Sequence, residues 1–410
     1  MSRPRPDSAK DLTEELLGSL RPLLPSILER HYRALHEIPE LAFEEHRTSA
    51  YLRSVLAELG LTSVREITGT GLIVKLPRAG EGPTIMLRAE MDGLPVTEDA
   101  DHLPRSGIDG QMHACGHDGH MAVALAVAAA VAESSPDYRL PGRLVVLFQP
   151  AEESGGGARR IVESGLLDSL EVDYVLGLHL WSFAPLGEAI IPDGAVMASS
   201  DEFRVVFKGP GGHGALPHES RDTVLAAAHL VVALQGIVSR SIDPVEPAVV
   251  TVGRLRAGDA PNVIPRTAEA YGTFRAASAA VRGQLMHRIG EVSEAIGRVH
   301  GLIAEVDFGT GYPPTVNDSR VAGKYREAAA AVLGDAGVRS GPPAMASEDF
   351  AFFLQARPGA FCLLGMGDEA SDSSHPHHSP AFRIAPAVLP MAVEILLRAA
   401  MGLLEDPPQQ

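Results

Sequence analysis

The sequence predicts an α/β fold in which a mostly parallel sheet is interrupted by a second, smaller unit. Three observations carry this expectation. Apolar runs of strand length alternate with helical segments through the N-terminal half, the pattern of a sheet covered on both faces. The elements after Ser200 run βαββαβ, the order of a ferredoxin-like split unit. Beyond Tyr312-Pro313-Pro314 the α/β alternation resumes, so the middle unit is an insert in a discontinuous domain. The expected limits are 1–196 and 313–410 for that domain and 197–312 for the insert.

Taken in order, Gly71-Leu72-Ile73-Val74-Lys75-Leu76 and Thr84-Ile85-Met86-Leu87-Arg88 read as a strand pair, followed by the Ala/Val-rich helix Met121 to Ala132. Then come a strand from Arg143 to Phe148, a short helix after Gly157 and a strand from Tyr174 to Leu178. In the insert, Phe203, Val205 and Phe207 alternate with Arg204, Val206 and Lys208, which gives a strand. A helix from Asp222 to Ser239 follows, then strands over Ala248 to Leu255 and Thr267 to Phe274. A helix over Ala279 to Val299 and a strand over Leu302 to Phe308 complete the unit. The last segment holds a helix from Ser319 to Leu333, a strand from Phe361 to Leu364 and a helix from Ala387 to Met401.

Composition narrows the function. A chain of 410 residues with 45% apolar and 21% charged residues is that of an ordinary globular protein of two domains. The net charge of −17 argues against nucleic acid, whose phosphates need a basic face, and an anionic substrate would need a local arginine. Two cysteines, Cys115 and Cys362, make no disulfide framework and favour a reducing compartment. Met1 to Leu20 lacks the apolar core of a secretory signal, and no stretch is expected to approach the roughly 20 apolar residues of a membrane span. The expectation is a cytoplasmic protein with neither nucleic acid nor membrane as partner.

The most improbable segment is His113-Ala114-Cys115-Gly116-His117-Asp118-Gly119-His120. A thiolate and an imidazole one residue apart are ligands that borderline-soft divalent ions such as zinc accept. Further ligand-type residues follow apolar strands: Glu90-Met91-Asp92, Gln149-Pro150-Ala151-Glu152-Glu153, and His179 in Gly177-Leu178-His179. Open α/β sheets gather their sites at the carboxyl ends of strands, so these groups are expected to converge on Cys115. A further contributor is His375-Pro376-His377-His378-Ser379-Pro380. If Glu152 and Glu153 sit on extended backbone, their side chains project to opposite sides. One then binds metal while the other takes a proton from a water that the metal has acidified.

These motifs resemble those of the dinuclear-metal amidohydrolases that include hippurate hydrolase, N-acyl-amino-acid amidohydrolase and the auxin-conjugate hydrolases, within the aminoacylase and metallocarboxypeptidase superfamily. The resemblance runs from about residue 31 to 400. It rests on His36-Glu37-Ile38-Pro39-Glu40-Leu41, Met112 to His120, Pro150 to Gly157, Gly177 to Trp181, Gly211-Gly212-His213-Gly214, Asn262-Val263-Ile264-Pro265, Ser347-Glu348-Asp349-Phe350 and His378-Ser379-Pro380. It implies a metallopeptidase-like catalytic domain whose ferredoxin-like insert is a lid and dimerisation domain. It further implies two divalent ions (zinc, manganese, cobalt or nickel) on Cys115, His117, Glu153, His179 and His378, with Glu152 as general base. By the same resemblance His213 reaches a partner's active site and polarises the scissile carbonyl with Asn262, while Arg275 anchors a substrate carboxylate. One departure stands out: Glu90-Met91-Asp92 occupies a segment that is usually Asp-x-Asp.

The expected function is hydrolysis of the amide of an N-acyl amino acid, a small-molecule substrate, by a homodimer. A dipeptidase or aminopeptidase using the same site is the alternative within the enzyme class. A non-catalytic binder of metal or amino-acid conjugates is the alternative outside it, and it has no use for a base beside a ligand.

Overall fold

The computed structural model describes residues 9–18, 20–135 and 138–408. The chain divides into two compact units: 1–194 with 316–342 and 352–410, and 195–315 with 343–351. Residues 343–351, expected with the first unit, thus cluster with the second.

The first unit is built on an eight-stranded mixed sheet. Its order is Val64–Ile67, Gly71–Lys75, Arg143–Gln149, Thr84–Glu90, Tyr174–Pro185, Gly359–Gly367, Ala189–Ile190 and Val338–Arg339. Gly71–Lys75 and Thr84–Glu90 are not partners, contrary to the expected strand pair. Both pair with Arg143–Gln149, the first antiparallel and the second parallel, so a later strand separates them. Thr84–Glu90 and Tyr174–Pro185 pair in parallel, as do Tyr174–Pro185 and Gly359–Gly367. Every residue of Thr84–Glu90 is buried, and so is every residue of Arg143–Gln149 after the first. Strands enclosed on both faces need no polar alternation, which is why their sequences are continuous apolar runs.

The helix His117–Ala132 is apolar on all sides after its first turn and is buried from His117 to Val131. It packs against Leu24–His36 and against the C-terminal helix Val388–Glu405, which in turn packs on Ser319–Leu333. Gly116 precedes it at φ 88°, a left-handed conformation in which a side chain is strained. That turn sets Cys115 and His117 at the head of a rigid, enclosed helix.

The second unit has a four-stranded antiparallel sheet in the order Ala248–Ala257, Thr267–Ala276, Asp201–Lys208 and Ile303–Phe308. With helices Thr223–Ser241 and Ala279–His300 this is the βαββαβ unit expected from sequence. Alternating burial along Asp201–Lys208 and Thr267–Ala276 leaves one face outward. The other packs Phe203, Val205, Phe207 and Phe274 under Leu230, Leu234, Leu285 and Ile289. Asp222 and Ser278 cap the two helices, accepting from the amides of Leu225 and Val281. Thr223–Ser241 corrects one expectation: by length and composition its 19 residues could cross a membrane. Ala226, Ala227, Leu230, Leu234 and Ile237 face the core, whereas Leu225 and Val232 are exposed.

Candidate metal centre

The sheet brings four segments of the first unit together at the carboxyl ends of its parallel strands. Cys115 and His117 stand at the start of the buried helix that follows Thr84–Glu90. Glu152 and Glu153 follow Arg143–Gln149, and His378 lies in the loop after Gly359–Gly367. His179 sits within Tyr174–Pro185 rather than at its end, because that strand runs seven residues past the expected limit at Leu178. Its ladder with Thr84–Glu90 stops at the pair Arg88 and Gly177, however, so His179 lies two residues past the last paired position, level with the end of that neighbour at Glu90.

The ligand-type atoms converge. Cys115, Glu153 and His378 offer donor atoms within 4.8 Å of one another, as do His117, Glu152 and Glu153. Cys115 Sγ is 3.5 Å from His179 Nε2. His378 Nε2 lies 3.4 Å from Glu153 Oε1. His117 Nε2 is 4.0 Å from both Glu152 and Glu153. All five proposed ligands and the proposed base therefore share one location. Two of the positions depend on unusual backbone: His378 at φ 64° and Ala151, just before Glu152, at φ 59°. Non-glycine residues rarely adopt the left-handed region, and such residues concentrate at functional sites. The amide of His378 donates to Ala114 O at 2.8 Å, tying the C-terminal loop to the residue before Cys115.

Glu152 and Glu153 do not lie on extended backbone, as expected, but in a bend. What orders them is Asp92, whose Oδ1 accepts from the Glu152 amide at 3.0 Å and whose Oδ2 accepts from the Glu153 amide at 2.9 Å. The carbonyl of Asp92 also accepts from His117 Nδ1 at 2.8 Å. One residue thereby places three others, whereas the sequence offered it only as one of the ligand-type residues after an apolar strand. Its signals there are its position two residues beyond Glu90, after an apolar strand, and its match to the second acid of the usual Asp-x-Asp.

Hydrogen-bond partners decide which imidazoles can ligate. His117 Nδ1 faces a carbonyl, and so does His179 Nδ1, 2.7 Å from Leu180 O. A carbonyl only accepts, so each Nδ1 carries a hydrogen, and in the neutral ring each Nε2 keeps a lone pair toward the site. Burial lowers the pKa of His117, but Asp92, Glu90 and Glu153 prevail and raise it to about 10, so a cation at Nε2 displaces a proton there. Burial, reinforced by His120 and His377, holds the pKa of His179 well below its ordinary value, so the ring is neutral. His120 is different: its Nε2 accepts from the Leu180 amide at 2.9 Å, and its Nδ1 pairs with Glu90 Oε2 at 2.9 Å. Both nitrogens are spent, which separates His120 from the ligands despite its place in the cluster.

Glu90 is wholly buried among polar partners, paired with Arg88 as well as His120. Burial alone would raise its pKa, but Arg88 and His120 outweigh it and hold the carboxyl well below the usual range. The same contest applies to Glu153, where burial is outweighed by His378 and His117 and the carboxyl is lowered. The longer acid at position 90 thus acts on the ring of His120, beside the ligand set.

The donor set fits divalent metal. His117 Nε2 and Glu153 Oε1 are buried without hydrogen-bond partners, a costly state unless a cation meets them. Thiolate, imidazole and carboxylate donors together suit ions of the zinc type.

His213, Asn262 and Arg275 lie in the second unit. Gly212–His213 pairs with Val263–Ile264, and the Gly214 amide donates to Asn262 O at 2.8 Å, so the chain itself sets His213 and Asn262 side by side. A Cβ at Gly214 would stand 3.0 Å from that carbonyl, which explains the glycine. Both His213 and Asn262 are exposed. Arg275 is half-buried in Thr267–Ala276, with Nη1 buried and without a hydrogen-bond partner.

Comparison with known proteins agrees with this geometry. Residues 86–402 match the model of peptidase family M20/M25/M40. The chain is 38% identical over 374 residues to N-acetyl-L-cysteine deacetylase of Bacillus subtilis, covering 91% of this chain and 87% of that protein. It is also 38% identical, over 378 residues, to an IAA-amino acid hydrolase of Arabidopsis thaliana, covering 91% and 86%. Among solved structures, a dinuclear metal binding peptidase of the M20 family from Bacillus subtilis superposes with a TM-score of 0.82 at 31% identity, covering 94% of this chain and 99% of that one. The chain belongs to peptidase family M20/M25/M40 and is a hydrolase of amide bonds.

Proposed function

We propose that this hydrolase cleaves the amide of N-acyl amino acids, releasing a carboxylate and an amine, with Glu152 as general base. The observation that carries the proposal is the Asp92 clamp. One carboxylate fixes the amides of two adjacent glutamates, so that a base and a ligand stand together at His117. Cys115, His117, Glu153, His179 and His378 would hold two divalent ions, which when bound polarise an amide carbonyl and acidify water. Glu152 removes the proton from the attacking water and returns it to the leaving nitrogen.

The substrate class is supported by the names of the two relatives, which act on N-acetyl-L-cysteine and IAA-amino acids. Arg275 offers its unpartnered Nη1 to the substrate carboxylate, the local positive charge that a chain of net charge −17 requires. His213 and Asn262 are proposed to polarise the scissile carbonyl in the site of a partner subunit, with the second unit as lid and dimer contact. Leu225 and Val232, exposed two turns apart on one helix face, support a homodimer through that unit. Cys115 and Cys362, which form no disulfide, support a reducing, cytoplasmic location.

The test is release of free amine from a panel of N-acyl amino acids and dipeptides, repeated with zinc, manganese, cobalt and nickel. Turnover of N-acyl amino acids in preference to dipeptides is expected. Faster cleavage of dipeptides would replace this reading with a dipeptidase or aminopeptidase.

A further inference from the structure

His377 stands beside the proposed ligand His378, and its environment assigns it a different task. Its Nε2 lies 3.2 Å from the backbone nitrogen of Ser182. A peptide amide only donates, so Nε2 must hold a lone pair and cannot carry a hydrogen. The hydrogen of the ring is therefore on Nδ1, and Nδ1 lies 3.7 Å from Cys115 Sγ. His179, also at this sulfur, has the opposite polarity: its Nδ1 hydrogen goes to Leu180 O, so the Nε2 facing Sγ is a lone pair. Two rings thus approach one sulfur, one as a ligand-type nitrogen and one as a donor.

The ring of His377 is also held in place. It stacks on Trp181 at 4.9 Å between centroids with 28° between planes, and it contacts Phe382 at 4.9 Å and Phe183 at 5.6 Å. Three aromatic neighbours and one amide leave the imidazole no second orientation that keeps its partners. We propose that His377 is a positioning residue that donates an N–H···S hydrogen bond to the Cys115 thiolate, drawing electron density from the sulfur and directing its lone pairs toward the metal ions. The proposal rests on Cys115 being a metal ligand, as proposed above. Outer donors of this kind orient a ligand and tune the metal it binds.

Cobalt(II)-loaded protein tests it, because a thiolate on cobalt gives a sulfur-to-metal charge-transfer band in the near ultraviolet. A donor at the sulfur lowers the energy of its lone pairs, so losing the donor moves the band to longer wavelength. His377→Phe keeps a stacked ring without an N–H, and His377→Asn restores an amide N–H close to the position of Nδ1. The expected result is two cobalt ions per chain in all three proteins, a shift to longer wavelength in His377→Phe, and a shift back toward wild type in His377→Asn. Thermal melting of each cobalt-loaded variant shows whether it is folded. An unmoved band in folded His377→Phe with both ions bound overturns the proposal. Loss of one ion from His377→Phe also overturns it, by making His377 itself a ligand. A wild-type protein with bound cobalt but no such band refutes Cys115 as a ligand and takes this proposal with it, whereas failure of the substrate panel alone leaves the N–H···S bond standing.

Discussion

Replacing Asp92 by Asn isolates what a single carboxylate does for this site. The side chains are nearly isosteric, and Asp92 is only 1% exposed, so packing is preserved. In the wild type both oxygens accept from backbone amides, those of Glu152 at 3.0 Å and Glu153 at 2.9 Å. Asn offers one acceptor oxygen and one NH2, so one of the two amides must face a donor. Leaving a buried donor unsatisfied costs about 1–3 kcal/mol, and the surviving bond loses its charge assistance, worth roughly another 1 kcal/mol. The metal-free protein should therefore lose about 2–4 kcal/mol of unfolding free energy, read from urea denaturation with an unchanged slope. Because the freed glutamates are the proposed base and a proposed ligand, metal affinity should fall about 10–100-fold, the usual cost of losing an outer partner of a ligand. Isothermal titration with zinc into the metal-free variant measures it. An Asp92→Asn protein with unchanged stability and zinc affinity within twofold of wild type would refute the clamp.

Glu152→Gln should reduce turnover by about 10²–10⁴-fold while elemental analysis finds the wild-type metal content, since the amide keeps the shape but takes no proton; near-normal turnover would remove Glu152 as the base. Cys115→Ala should lose metal stoichiometry, not only substrate affinity, and two ions retained in the variant would remove Cys115 from the ligand set. Buried His36 gives a pH signature: burial lowers its pKa, but bonds of 2.6 Å to Asp118 and of 2.6 Å to Glu98 prevail and raise it from 6.5 to about 9. A folded pKa above the unfolded one means that this contribution, about 3 kcal/mol at most, is complete below about pH 6.5 and is lost as pH rises through about 9. Denaturation at stepped pH in wild type and His36→Gln checks it, and equal pH slopes between 6.5 and 9 in the two proteins would remove His36 as their source.

Much of this architecture was legible in the residues themselves. The strands of the first unit are enclosed on both faces, so their sequences are unbroken apolar runs that composition alone reveals. The insert's strands have one open face, so Phe203, Val205 and Phe207 alternate with polar or less buried neighbours, and the βαββαβ order followed from periodicity. Cys115 and His117 announced themselves because two ligand types so close in sequence are rare. Glu152, Glu153 and His179 stood out by their places after apolar runs, and His378 was singled out by the family resemblance through His378-Ser379-Pro380. Sequence could not show that Gly71–Lys75 and Thr84–Glu90 are parted by Arg143–Gln149, because pairing is a contact between distant segments with no local signature. Nor, apart from the family resemblance, did the residues themselves rank the histidines. His117, His120, His179 and His377 are chemically identical side chains, and what separates ligand from support is whether a carbonyl or an amide faces the second nitrogen. That partner is set by backbone brought in from elsewhere, as is the pair of amides gathered on Asp92. Residue type determines which atoms can bind a metal; the fold decides which of them still have a lone pair to give.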